Sequence, residues 1–218
     1  MLEPDVTLTD YALAILCGIL AWRSMASNTP VRAWLTTFFV VASAASLVGG
    51  TVHGFFADGA SAMHAALWTA TLLLVGMAGL SAWNLAARMI RSTRLVRRVR
   101  WISWLSGAGY AGFVVLVLAG EQRFLVAVAY YLPATLFLLG TLISLELADP
   151  TRARHVAIAG VVLTLVAAAI QQAGSPVYPP YMGRNSLYHV VQAVAMICVY
   201  IGLREEGMRP AVSTREER

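Results

Sequence analysis

Seven stretches of this chain are apolar for about 20 residues each, the length a helix needs to cross the hydrocarbon core of a bilayer. Their limits predict helices near 8–26, 32–56, 61–88, 101–119, 123–147, 155–173 and 186–203. Composition agrees with a lipid environment. Of 218 residues, 59% are apolar and 12% charged, against about 25% charged in soluble domains. The expected fold is an all-α integral membrane bundle of seven transmembrane helices. It forms one domain over residues 1–205, and a polar cytoplasmic tail follows at 206–218. Pro133 falls inside the fifth span, where membrane helices tolerate a kink.

The arginines set the orientation. Arg23 and Arg32 flank the first connection, Arg88, Arg91, Arg94, Arg97, Arg98 and Arg100 crowd the third, and Arg152 and Arg154 mark the fifth. The tail adds Arg204, Arg209, Arg215 and Arg218, whereas the alternate set of connections holds only Arg123 and Arg184. By the positive-inside rule the first group is cytoplasmic, so the N-terminus is expected outside and the C-terminus inside. A bacterial inner membrane fits this pattern. The first residues, MLEPDVTLTD, are acidic where a cleavable leader would be basic, so helix 1 is expected to be retained.

Charge also narrows function. The net charge of +5 and the pI near 9.6 arise from arginines in short connections, which orient the chain against lipid and do not make a nucleic-acid surface. Lysine is absent, so a retinal Schiff base is excluded. Cys17 and Cys198 lie within apolar segments without metal-ligand spacing and read as inert thiols.

The polar residues inside the spans carry the remaining signal. His155 sits beside Arg152 and Arg154 at the start of helix 6 and reads as an interface residue. His53, His64 and His189 each lie about one turn inside the outer end of helices 2, 3 and 7, roughly 5 Å below the boundary at 1.5 Å per residue. Ionisable residues within spans usually face the bundle interior or a wet cavity. Two readings stand. In one, the three imidazoles converge on a metal ion, as in His₃ zinc sites with an open fourth position for a water of lowered pKa. In the other, each histidine bonds separately to backbone or headgroup.

Asn185, His189, Gln192 and Met196 share one face of helix 7, and Ser46, Gly49, Gly50 and His53 share one face of helix 2. The two glycines leave room for a substrate or for a close helix crossing. Gln171 and Gln172 end helix 6 on the outer side, within reach of the same cavity. Tyr130 and Tyr131 read as interfacial anchors.

These positions resemble the CREST superfamily of seven-transmembrane metal-dependent hydrolases, which includes alkaline ceramidases, the progestin and adiponectin receptor family and Per1-like lipid remodelling proteins. That pattern has Ser-x-x-x-His in helix 2, Asp at the start of helix 3 and His-x-x-x-His in helix 7. The matching segments are Gly49-Gly50-Thr51-Val52-His53, then His64, then Asn185-Ser186-Leu187-Tyr188-His189. The resemblance makes His53 and His189 zinc ligands and places Tyr188 beside the site. Gly49 stands in place of the serine, Asn185 in place of the first helix 7 histidine and His64 in place of the aspartate. A His₃ set of His53, His64 and His189 then replaces the family's own, with Asp58 or Glu121 as general base and Ser46, Asn185, Tyr188, Gln192 and Gln171 around it.

Three functions follow as expectations. The first is a zinc-dependent intramembrane hydrolase of a lipid amide or ester, working near the outer face, with zinc-bound hydroxide attacking the carbonyl. The second is a non-catalytic lipid- or metal-binding membrane protein, or a subunit of a complex. The third is a b-type haem protein with His53 and His189 as axial ligands. A transporter is disfavoured, because no internal repeat and no charged residue deep in a span is expected.

Overall fold

A computed structural model describes residues 1–57, 59, 61–117, 124–172 and 183–207. Seven helices occupy these residues: α1 (Pro4–Met25), α2 (Arg32–Phe55), α3 (Ala62–Met89), α4 (Thr93–Leu116), α5 (Phe124–Ala148), α6 (Arg152–Gln172) and α7 (Arg184–Gly207). No strand occurs among the described residues. Six helices are long and apolar enough to cross a membrane, namely all but α4. Lipid supplies no hydrogen bonds to backbone, and helices satisfy theirs internally.

Helix starts follow local chemistry. Pro4 opens α1, where its missing N–H costs nothing. Ser61 caps α3 by accepting from the His64 N–H, and Ser92 caps α4 by accepting from the Leu95 N–H. The Ser92 cap explains the largest shift from the sequence-based boundaries. Helix 4 was expected from residue 101, but it begins at Thr93 and takes in Arg94, Arg97, Arg98 and Arg100, which were read as part of a loop. Arginine is a good helix former, and hydropathy alone is blind to it. Helix 1 likewise starts at Pro4 rather than residue 8. Pro133 lies inside α5, as expected.

The helices do not form a seven-membered ring. α1, α2, α3, α5, α6 and α7 each pack on the next, and α7 closes back onto α1. α4 lies outside along α3, and its Tyr110 ring stacks on Tyr130 of α5 with centroids 4.2 Å apart. Tyr110 also donates to the Leu72 carbonyl at 2.8 Å. Its ring occupies the space a side chain at Gly76 would need. The main core, around Leu13, Cys17, Leu35, Phe39, Leu85 and Leu203, fills the ring toward the end of α1. A smaller cluster around Val52, Trp68, Leu72, Tyr110, Val114 and Ala127 fills the side where α3, α4 and α5 meet.

Between the expected glycine face of helix 2 and α1 there is a close helix crossing. A Cβ on Gly50 would lie 2.8 Å from the Asp10 Cβ and 3.0 Å from the Tyr11 ring, and one on Gly54 would lie 3.0 Å from Thr7. Small residues permit such approach in membrane bundles. Asp10 is thereby brought into the bundle interior.

Candidate functional site

The first half of α1 is fastened to its neighbours by acidic and hydroxyl side chains. At the helix start, Glu3 Oε2 lies 2.6 Å from His53 Nδ1 on α2. Two residues along, Asp5 Oδ2 accepts from the Ser186 hydroxyl at 2.6 Å and from the Gly183 N–H at 3.3 Å, which caps the start of α7. Five residues further on, Asp10 Oδ1 lies 3.1 Å from His189 Nε2. Both residues are buried, Asp10 at 4% exposure and His189 at 7%.

The second ring nitrogen of His189, Nδ1, lies 3.0 Å from the Thr9 hydroxyl oxygen. That hydroxyl donates to the carbonyl of Asp5 at 2.9 Å or of Val6 at 3.0 Å. With its hydrogen so used, it accepts from Nδ1–H. His189 Nε2 and Asp10 Oδ1 then share a single proton. The tautomer is therefore set by one threonine.

Asp10, His189 and His53 line a common cavity of about 80 Å³. Ser46, Gly49, Trp68, Thr71, Gln171 and Tyr188 complete its polar and aromatic wall. Two atoms stand out there. Trp68 Nε1 and Gln171 Oε1 are buried and have no hydrogen-bond partner among the described residues. Buried polar groups are nearly always paired, and each unpaired one costs about 1–3 kcal/mol. One is a donor and the other an acceptor, on the wall of the same cavity.

A second cavity, of about 130 Å³, runs deeper into the ring and is lined mainly by apolar side chains such as Cys17, Phe38, Leu85, Leu138 and Met196. The two share Leu13, Ala45, Ser46, Val75 and Tyr188 as walls. A polar chamber thus abuts an apolar one.

Of the three histidines expected to meet, His53 and His189 line the polar cavity and His64 does not. His64 is turned toward the α2–α3 connection, with Nδ1 2.6 Å from the Phe56 carbonyl and its ring stacked on Trp68. A zinc ion on this set needs one nitrogen of each ring at about 2.0–2.1 Å. Both nitrogens of His189 are hydrogen-bonded to α1, and no group of three or more His, Cys, Asp or Glu among the described residues is placed to hold a metal ion. These residues, as they stand, do not fit the three-histidine zinc ion. His53 and His189, the pair expected as axial haem ligands, line one cavity, with both His189 nitrogens hydrogen-bonded to α1.

Among the surrounding residues, Ser46, Tyr188 and Gln171 do line the polar cavity, and Gln192 lines the apolar one. Gln192 also donates to the Thr164 hydroxyl at 3.4 Å. Asn185 lines neither cavity. It sits in the first turn of α7, where its neighbour Ser186 takes the buried position against Asp5. Asp58 and Glu121, expected as general bases, lie outside the described residues. His155 is exposed at the start of α6, with Nε2 2.9 Å from Glu146 Oε1. Cys17 and Cys198 are free thiols.

Asp10, Thr9, Glu3 and Trp68 went unrecognised in the sequence. The expectation was that no charged residue lies deep in a span; Asp10 is buried six residues past Pro4, about 9 Å into α1. With helix 1 expected from residue 8, Asp10 falls in its first turn at the outer boundary, whereas the start at Pro4 places it nearly two turns into α1. The available signal was Pro4, a helix opener, six residues before it.

No curated protein and no solved structure matches this chain. One family model does, over residues 6–208, which include α1 from Val6, the other six helices and both cavities but neither Glu3 nor Asp5. By that match the chain belongs to a family of unknown function, DUF6962.

Proposed function

We propose that this protein is a seven-span membrane hydrolase of a lipid amide. In this assignment the N-terminus is outside, the acyl chain lies in the apolar cavity, and the amide lies beside Asp10 and His189. The unpaired Trp68 Nε1 and Gln171 Oε1 on one cavity wall carry this assignment. An amide supplies what both lack: its carbonyl oxygen accepts from Trp68, and its N–H donates to Gln171. An ester supplies only the first.

The acid–base pair then has work to do. A water in the polar cavity passes a proton to Asp10 Oδ2 as the proton on Oδ1 moves to His189 Nε2. The oxygen of that water adds to the carbonyl carbon, and the charge on the carbonyl oxygen is met by Trp68 N–H. When the intermediate collapses, the C–N bond breaks. The Nε2 proton returns to Oδ1, and the Oδ2 proton goes to the departing nitrogen. A fatty acid and an amine are released, and the pair is restored. Asp10 Oδ2 is directed toward Gly49, another wall of the cavity, where a Cβ would lie 3.7 Å from it. No step here passes through a metal. The likeness of His53 and His189 to CREST positions favours the same substrate class.

A non-catalytic lipid binder is the second assignment, since paired cavity atoms require a ligand and not a reaction. One experiment separates them. Full-length protein in lipid nanodiscs is offered N-acyl amides and matched esters, with bound ligand and released fatty acid both measured by mass spectrometry, and zinc by elemental analysis. Hydrolysis of the amide in preference to the ester is expected. Binding without release favours the second assignment. Neither binding nor release sinks both, and one tightly held zinc lost on His53→Ala would restore the metal-dependent mechanism.

A further inference from the structure

From Asp58 to Glu121 the chain holds no acidic residue between them, yet it holds Arg88, Arg91, Arg94, Arg97, Arg98 and Arg100. The turn after α3 and the first turns of α4 fold this charge around a groove of about 600 Å³. Its lining is Ile90, Arg91, Thr93, Val96, Arg97, Arg100, Trp101 and Trp104. These arginines are exposed, and so are both tryptophans, Trp101 at 73% and Trp104 at 52%. Trp104 meets Trp34 of α2 edge-on, with ring centroids 6.5 Å apart, which ties the groove to the bundle. Below it α4 continues with exposed Ile102 and Leu105.

We infer that this groove binds the headgroup of an anionic phospholipid in the leaflet on the arginine-rich side. Three observations select that occupant. Arg91, Arg97 and Arg100 offer guanidinium forks to one space, and phosphate is the planar-fork acceptor they suit. Tryptophans at the rim sit where indoles settle, at the level of lipid headgroups. The apolar residues beneath belong to a helix on the outside of the ring, where acyl chains would run. Basic pockets of this kind beside a span recognise acidic lipids. This site is far from the Asp10–His189 cavity, and its occupancy does not depend on catalysis there.

The test is native mass spectrometry on full-length protein exchanged into mixed micelles holding equal phosphatidylglycerol and phosphatidylcholine. Wild-type protein should retain phosphatidylglycerol preferentially. The double substitution Arg97→Gln/Arg100→Gln should lower that preference on the order of tenfold. Arg23→Gln/Arg32→Gln, removing equal charge from another connection, should leave it in place. Equal loss in both doubles would reduce the effect to general surface charge and overturn the site, as would an absence of preference in wild type. If the glutamine double fails to insert, Arg97→Lys/Arg100→Lys keeps the charge and removes the forks. Loss of preference there supports the site, and full retention overturns it.

Discussion

Thr9 decides how Asp10 and His189 hold their proton, although it touches no ligand. Because its hydroxyl spends its hydrogen on a carbonyl one turn back, it holds Nδ1–H in place and directs the Nε2 lone pair to Asp10. Thr9→Val removes that acceptor, and Thr9→Ser keeps it. Turnover of an N-acyl amide should fall about tenfold in the valine variant and recover in the serine variant, with the KM little changed. Asp10→Asn blocks the relay, since an amide nitrogen cannot pass a proton between water and imidazole. It should lower kcat by about 10²–10⁴ while ligand retention persists. Trp68→Phe keeps the ring packing and deletes the donor to the carbonyl oxygen, so kcat should fall on the order of 10². Equal loss of binding and turnover in Asp10→Asn would mean that the residue only builds the cavity. The histidines were legible in the sequence because an imidazole in an apolar run is conspicuous. Asp10 was not, because its role depends on a helix beginning several residues before the hydropathy rises.

At the scale of helices, α6 and α7 approach each other closely through two glycines. A Cβ on Gly160 would lie 2.6 Å from Val199 N and 2.9 Å from Ala195 O, and one on Gly202 would lie 2.6 Å from Ala153 O. Each glycine therefore meets the backbone of the other helix, which cannot yield as a flexible side chain can. Lipid removes the hydrophobic drive between helices, so this close van der Waals packing is a main source of association. Gly202→Ala should destabilise the protein by about 1–3 kcal/mol, as overpacking does. Gly109→Ala on α4 meets nothing within 4 Å and should be neutral or stabilising by up to about 1 kcal/mol, from helix propensity alone. Thermal unfolding in detergent, followed by circular dichroism, checks both. All seven helices could be read from apolar length, α4 with its start placed eight residues late. The placement of α4 outside the ring could not, since nothing in a run of apolar residues distinguishes a ring member from a helix leaning on it. The meeting of His53 with His189, and the exclusion of His64, likewise depended on ring rotation, which a count of turns from the membrane boundary does not give.

For the whole molecule the open quantity is how often the chain crosses. After its arginines, α4 has only residues 101–116 left, about 24 Å of helix at 1.5 Å per residue, against a hydrocarbon core of about 30 Å. That shortfall alone would favour six crossings and termini on one side. Two contacts argue otherwise. Phe124, the first residue of α5, packs on Trp68 near the start of α3, with ring centroids 6.2 Å apart. Ser92 follows directly on the far end of α3. In the seven-span assignment proposed above, α4 is the element that runs between those two ends of α3, with tilt and local thinning absorbing the mismatch. The pairing of α1 with α7 through Asp10 and His189 fixes the starts of those helices at the same end, so the end of α7 lies opposite the start of α1. In a background with Cys17 and Cys198 replaced by Ala, Leu2→Cys should react with an impermeant maleimide from outside intact cells. Thr93→Cys and Arg204→Cys should react only after the membrane is opened. Labelling of Arg204→Cys from outside with Leu2→Cys protected would invert the bundle, and the amide-hydrolysing chamber would then open on the leaflet opposite to the one proposed.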